Sequence, residues 1–229
     1  SQHTIISEWS NNIIGIGATR LRIIDRNKNS DQPFNSKDGR YSILFNGEVY
    51  NHQELKNKLL DRDIRFETSS DTEVLLFCLM HYGAKGISQL NGMYSLVFID
   101  HQKEEWFITR DPMGIKPLFY SEIGEQVLVS STARSIAESG FIEKSLNRHS
   151  LDHYLAFKYV NQPATLYKNI KQLKPGEIRR YKRLDLDSSE FVSPDQGTSS
   201  DNLKELLTDA IASQTANIKP ALMLSGGVD

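Results

Sequence analysis

The sequence predicts an α+β fold followed by the start of a second unit of α/β type. Three observations carry that reading. Short apolar stretches of period two recur through the first two-thirds of the chain, separated by polar or glycine-containing turns. Helical stretches interrupt them irregularly, unlike the strand–helix alternation of a doubly wound parallel sheet. Near Asp185 the composition turns polar, and an amphipathic helix, an apolar strand and a Gly-Gly loop follow.

In chain order, NIIGIGATRLRIID alternates around Ile14, Ile16, Leu21, Ile23 and Ile24, and RYSILFNGEVY is a second strand-rich stretch. HQELKNKLLD presents Leu55, Leu59 and Leu60 on one helical face. SDTEVLLFCLMHYG predicts a helix opened by a capping box from Ser70 to Glu73 and closed near Gly83. YSLVFIDHQKEEWFITRD reads as two strands around a polar turn at Asp100 to Lys103. KPLFYSEIGEQVLVSS repeats the pattern with its turn near Gly124, and SLDHYLAFK is a third helix candidate. DLDSSEFVSPDQGTSSD, rich in Ser with Pro and Gly, reads as a linker. Beyond it NLKELLTDAIASQ places Leu203, Leu206, Leu207 and Ile211 on one stripe, and PALML reads as a buried strand running into SGGVD.

The 229 residues suffice for one large domain, or one domain and part of another. With 27 basic and 29 acidic residues the formal charge is -2, which offers no electrostatic attraction for nucleic acid or an anionic membrane. Hydrophobic residues at 38% and charged residues at 24% suit a soluble globular protein. No apolar run is long enough to span a bilayer, and SQHTIISEWS has neither the basic nor the apolar region of a signal peptide. One cysteine, Cys78, cannot form an internal disulfide, in keeping with a reducing, cytoplasmic compartment. It stands among Leu75, Leu76, Phe77 and Leu79 and reads as core packing, not as a nucleophile. The six histidines show no ligand spacing, so no metal is assigned to them.

Several residues carry two readings on the sequence alone. Ser225-Gly226-Gly227-Val228-Asp229 after an apolar strand is either a turn or a loop whose bare N–H groups cradle phosphate; it lacks the Gly-Lys-Ser/Thr of a Walker A loop. Asn46-Gly47 is either a hairpin turn or an oxyanion hole made of an amide side chain and a glycine N–H. Arg20, inside an apolar pattern, either snorkels at an edge or grips a carboxylate. Asp71 in a first helical turn either serves the helix dipole or holds an ammonium group.

The order of these signals is specific where each alone is weak. RLRIID, NGEVYNHQELK, SSDTEV, LNGMYSLVFID, RDPMGIKPLFY, IKQLKPGE and LSGGVD, in that order, resemble glutamine-hydrolysing asparagine synthetases and their relatives along the whole chain. The resemblance implies a class II glutamine amidotransferase domain over residues 1–184, a linker over 185–201, and the start of an ATP-pyrophosphatase-type synthetase domain over 202–229. The first domain is then an N-terminal-nucleophile hydrolase, an αββα sandwich of two antiparallel sheets between helices. It hydrolyses glutamine to glutamate and ammonia. The second uses ATP and Mg²⁺ to turn aspartate into an acyl-adenylate, which ammonia converts to asparagine, and the whole protein is a homodimer.

By position, Arg20 is then expected to hold the α-carboxylate of glutamine, and Glu48 and Asp71 its α-amino group. Leu21, Ile23 and Ile24 line the pocket, and Asn46 and Gly47 form the oxyanion hole. Leu224, Ser225, Gly226, Gly227 and Asp229 belong to the nucleotide site, so that the chain ends inside it. Two departures bear on the product: Ser131-Thr132 replaces a frequent Ser-Glu, and Arg22 stands where a small polar residue is common. Relatives on this scaffold make other amides, amidate sugars or close β-lactam rings, and in some the first domain is a non-catalytic scaffold. The family's nucleophile, a cysteine at the mature N-terminus, is not among these residues, and too little chain precedes Arg20 for Ser1 to replace it. The 229-residue chain by itself is therefore expected to have neither glutaminase nor synthetase activity. Measurable glutamate release from glutamine by the purified chain would overturn that expectation.

Overall fold

The computed structural model describes residues 2–9, 12–19, 31–61, 64–193 and 202–215. The chain divides into two units, Ser1–Pro194 and Asp195–Asp229. In the first, strands β1 (Gln2–Trp9) and β2 (Asn12–Thr19) form an antiparallel hairpin. β3 (Phe34–Asn35) and β4 (Tyr41–Val49) lead to helices α1 (His52–Leu60) and α2 (Asp71–Tyr82) and a 3₁₀ segment, Gly83–Gln89. β5 (Gly92–Asp100), β6 (Glu105–Arg110), β7 (Phe119–Ile123) and β8 (Gln126–Ser130) follow. Then come α3 (Ala133–Ala137), α4 (Arg148–Phe157), β9 (Lys171–Gln172), β10 (Glu177–Lys182) and β11 (Asp185–Phe191).

A six-stranded antiparallel sheet has the order β11-β10-β6-β5-β4-β3, and a three-stranded sheet the order β8-β7-β9. Strand alternation sorts the apolar residues into layers. Ile43, Phe45, Val49, Tyr94, Leu96, Phe98 and Phe107 project from one face of the large sheet into a core with Leu55, Leu59, Val74, Leu75 and Leu79 of α1 and α2. Leu44, Val97, Ile99, Trp106 and Ile108 project from its other face and meet Tyr120, Val127 and Val129 of the small sheet and Trp9, Ile14 and Ile16 of the hairpin. On the far face of the small sheet Phe119 and Leu128 pack on Ile136 and Ala137 of α3. Helices, sheet, sheet and helix make the expected αββα sandwich. The two sheets are also joined by Glu122, which accepts from Arg179 at 2.6 Å and from the Tyr181 hydroxyl at 2.8 Å, with the Arg179 guanidinium over the Tyr120 ring.

Two expectations are corrected. The polar stretch from Asp185, read as linker, begins with β11, which pairs with β10 along its length. All seven of its residues are exposed: it is an edge strand wet on both faces, so its polar composition carries no alternation, and it is held by backbone pairing with polar side-chain bonds from Ser189 to Glu177 and from Arg180 to Glu190. The capping box is also absent. Ser70 accepts from the Thr72 N–H at 3.2 Å, while Glu73 turns to the preceding loop and accepts from the N–H groups of Glu67 and Thr68 and from the Thr68 hydroxyl. Thr132, at the Ser-Thr departure, caps α3 through the Ser135 N–H. In the second unit α5 (Leu203–Thr215) forms over the amphipathic stretch. Among the described residues no helix is long and apolar enough to cross a membrane.

The hairpin is tied to the large sheet by one imidazole. Trp9 Nε1 donates to His101 Nδ1 at 3.3 Å, and His101 Nε2 lies 2.7 Å from Ser42 Oγ, whose own hydrogen goes to Asn35 Oδ1 at 2.6 Å. An indole can only donate, so Nδ1 accepts and the ring proton sits on Nε2. The ring is thus neutral in the fold, and burial lowers its pKa below 6.5, partly opposed by the Asp100 charge. In the unfolded chain it titrates normally, so the unfolded state binds more protons as pH falls through 6.5, and stability falls with it. The thermal midpoint is expected to be lower at about pH 5.5 than at about pH 7.5, and His101→Gln, which can still accept from Trp9, should reduce that difference. Circular-dichroism melts of both proteins at both pH values check this.

Candidate functional site

The predicted pair Asn46-Gly47 lies within β4, not at a turn, which settles the hairpin alternative. β4 runs unbroken through both residues, with Asn46 opposite Ser95 and Gly47 opposite Tyr94 of β5. Gly47 is required by close approach: a Cβ there would stand 2.1 Å from the Met93 carbonyl oxygen and 2.7 Å from Tyr94 Cα. The Asn46 side chain is exposed, Gly47 and Glu48 are half-buried, and Asp71 is 4% exposed.

The hydrogen-bond parity of β4 decides what this segment presents. In an antiparallel ladder the N–H and C=O of one residue point the same way, and successive residues alternate. Arg40 O accepts from His101 N, and Tyr50 N donates to Asn91 O, so even-numbered residues face β5 and odd-numbered ones face the outer edge. On that edge Tyr41 exchanges bonds with Ser36, and Ile43 pairs with Phe34 of β3. The buried Gln32 side chain accepts from the Phe45 N–H at 2.6 Å and donates to the Phe45 carbonyl at 2.8 Å. The Val49 N–H reaches Asp71 Oδ2 at 3.4 Å. Gly47 falls between the last two anchors, and no partner for it is found on that edge among the described residues. The fold thus sets a main-chain N–H beside the Asn46 amide, with a carboxylate at the start of α2 one step along the edge.

Behind this edge stands the loop of the Arg-Asp-x-x-Gly-x-Lys-Pro motif, which carries β6 across to β7. Asp111 is wholly buried. Its Oδ1 accepts from the N–H groups of Met113 and Ile115 at 3.1 and 2.9 Å, and its Oδ2 from those of Lys116 and Tyr94 at 3.0 and 3.3 Å. Asp111 N donates to Tyr94 O at 2.8 Å, so the residue across from Gly47 is held at both backbone groups. Arg110, also buried, donates to the carbonyls of Lys116, Leu173 and Gly114 and to Gln162 Oε1. Gly114 has a φ of +65°, and a Cβ on it would meet Pro175 at 2.8 Å and the Arg110 guanidinium carbon at 3.1 Å. Arg110, Asp111 and Gly114 of the motif therefore clamp the sheets together, committed to backbone and packing. The phenol of Tyr50 is pushed up by burial and then by the Glu48 and Asp111 charges, so this end of β4 carries negative potential suited to an ammonium group.

Arg20, Leu21, Ile23 and Ile24 lie outside the described residues, as do Arg22, Leu224, Ser225, Gly226, Gly227 and Asp229. Cys78 is fully buried, and burial pushes its thiol up to about 11, so it cannot be the nucleophile. Among the described residues no group of His, Cys, Asp and Glu could hold a metal ion. A cavity of about 300 Å³ between Leu79, Met80, Phe98, Phe107 and Tyr181 is not lined by Asn46, Gly47, Glu48 or Asp71. Sequence reasoning missed Gln32: the only local signal was a Gln-Pro pair beside a short strand.

A four-layer αββα sandwich with a glycine-bearing strand edge beside a carboxylate is the architecture of N-terminal-nucleophile-type glutamine amidotransferases. Residues 6–192 match the family described as glutamine amidotransferase domain, and the chain belongs to that family. Asparagine synthetase [glutamine-hydrolyzing] 1 of Bacillus subtilis (strain 168) is 38% identical over 164 residues, 71% of this chain and 26% of that protein. Asparagine synthetase [glutamine-hydrolyzing] 3 of the same organism is 28% identical over 232 residues, 96% of this chain and 38% of that protein. Amidase chry2 of Gibberella zeae is 26% identical over 232 residues, 96% of this chain and 34% of that protein. The chain thus spans 26% to 38% of these relatives. Among solved structures, glutamine phosphoribosylpyrophosphate amidotransferase from B. subtilis in complex with ADP and GMP shares the fold, with a TM-score of 0.54 and 23% identity, covering 79% of this chain and 35% of that one.

Replacing Asp111 by Ala leaves the buried Tyr94 N–H and three part-buried loop N–H groups without their acceptor, a loss on the order of 3 kcal/mol. Gly47→Ala forces β4 and β5 apart and should lower the melting temperature by roughly 5–10 °C. Differential scanning calorimetry of the two variants checks both values.

Proposed function

We propose that the chain is the glutamine-hydrolysing part of a larger ATP-dependent amide ligase of the asparagine synthetase kind. The observation that carries this reading is the outward main chain of Gly47 beside the Asn46 amide, one step along the strand edge from Asp71. When a nucleophile adds to the side-chain amide carbonyl of glutamine, the oxygen takes up negative charge. The Gly47 N–H and the Asn46 side-chain N–H are the proposed donors for it, on a main chain that the β4–β5 ladder holds before the reaction. Collapse of that adduct releases ammonia and leaves an acyl group that water removes as glutamate. Glu48 and Asp71 meet the α-ammonium, Arg20 meets the α-carboxylate, and Leu21, Ile23 and Ile24 line the pocket. The nucleophile is a cysteine supplied at the mature N-terminus of the intact protein.

The ammonia then serves a carboxylate, proposed to be the side chain of aspartate, activated in a synthetase part that begins near Asn202. ATP with Mg²⁺ belongs to that part, at Leu224, Ser225, Gly226, Gly227 and Asp229. The proposal includes a cytoplasmic homodimer. A second reading is a related ligase with another acceptor, as in sugar amidation or β-lactam closure, in which this domain is a non-catalytic scaffold.

The test is glutamate release from glutamine by the intact protein that carries this chain. Asn46→Ala is expected to lower kcat about 10²–10³-fold with little change in KM, because one oxyanion donor is lost. Asp71→Asn is expected to raise KM roughly 10-fold or more, because the ammonium loses its counter-charge. An intact wild-type protein that hydrolyses no glutamine sinks the reading in favour of the scaffold.

A further inference from the structure

We infer that Gln32 is a positioning residue for the oxyanion donors, acting as a one-residue substitute for a missing strand; the inference rests on the glutaminase reading. β3 pairs with β4 as Phe34 with Ile43 and Asn35 with Ser42, and the same register puts position 32 opposite Phe45. β3 begins only at Phe34, so the main chain of position 32 is not part of the strand. The Gln32 side chain takes over instead: its carbonyl oxygen accepts from Phe45 N at 2.6 Å, and its amide nitrogen donates to Phe45 O at 2.8 Å. At 7% exposure this amide is desolvated, and both of its ends are matched to the peptide it faces.

The choice of a side chain has a consequence that a longer β3 would not have. A backbone strand continued in this register would next cover Gly47 and consume its outward N–H and C=O. A side-chain amide satisfies both backbone groups of Phe45 without a strand residue beside it. Among the described residues Gly47 has no partner on this edge, and it is bracketed two residues away on either side, by Gln32 at Phe45 and by Asp71 at Val49. Glycine has the weakest conformational preference of its own, so the direction of the 46–47 peptide depends on those two anchors and on the ladder to Tyr94. A shift of about 1 Å in a donor of this kind costs on the order of 10²-fold in rate.

Two variants of the intact protein separate positioning from mere covering of a polar edge. Gln32→Glu keeps an acceptor for Phe45 N–H but turns an oxygen towards Phe45 O; Gln32→Met keeps the volume and removes both bonds. If Gln32 positions the donors, both variants lose kcat by about 10- to 100-fold, KM for glutamine stays within about threefold, and substrate binding survives. Unchanged kcat in a folded variant overturns the inference, and so does a rise in KM at full kcat, which would make Gln32 a substrate contact. Should Gln32→Met fail to fold, Gln32→Glu alone gives the same readout. If the wild-type protein hydrolyses no glutamine, the glutaminase reading fails by itself. Amide hydrogen exchange over 45–49 then decides: faster exchange at Asn46–Gly47 in the variants upholds the positioning, and unchanged exchange overturns it.

Discussion

The buried carboxylate of Asp111 is the constraint on which this arrangement depends. Its two oxygens take four backbone N–H groups, three from its own loop and one from Tyr94. Its carbonyl accepts from Gly114 and from Gly176, at the approach to β10. One residue thereby joins the end of β6, the middle of β5, the crossover into the small sheet and the return into the large one. A buried charge is tolerable only when its lone pairs are filled, and here the loop wraps the carboxylate to fill them. Arg110 works in the opposite sense, with its guanidinium donating into carbonyls of the same crossover and of the β9–β10 connection. Neither charge pairs directly with the other's head group. Each organises backbone, which lets one dipeptide hold two sheets in a fixed relation.

That fixed relation reaches the candidate site through Tyr94. Asp111 holds Tyr94 at both N–H and C=O, and Tyr94 lies across from Gly47 at a distance only glycine permits. From the other side the β4 edge is held by Gln32 and Asp71. The proposed oxyanion donors thus sit on a strand constrained along both edges, and strands hold a group more closely than loops. A sheet edge is normally covered or charged to prevent association, and here the described residues cover every odd position of β4 but Gly47, at the proposed site.

Much of the fold was legible in the sequence, because its sandwich obeys the period-two rule closely. β4, β5, β7 and β8 alternate between two cores, and the turns at Asp100 to Lys103 and at Gly124 fall where polarity and glycine placed them. β11 was illegible for the complementary reason: an edge strand wet on both faces has no alternation to read. The Ser70–Glu73 spacing suggested a reciprocal cap, but two N–H groups and a hydroxyl of the preceding loop compete for Glu73, and tertiary context won. Within the site, Asn46, Gly47, Glu48 and Asp71 were visible as residue types with a chemical use. Their meeting was not: parity along β4 decides it, and the sequence shows parity only once the pairing partner is known. Gln32 was invisible because a side chain that imitates a strand has no periodicity at all.

The Arg-Asp-x-x-Gly-x-Lys-Pro motif shows how resemblance and physics can point to different residues. It is among the most telling stretches for the family, yet Asp111, Arg110 and Gly114 are all committed to backbone and packing. A sequence signal of that strength invites a catalytic role. The structure instead assigns it the harder architectural task, turning the chain between two sheets without exposing a buried polar group. The chemically suggestive residues lie on a plainer stretch, where Asn-Gly alone would read as a turn. Specificity of a motif measures how narrowly geometry limits the residues that can serve, and a crowded buried turn limits them at least as narrowly as an open site at a strand edge.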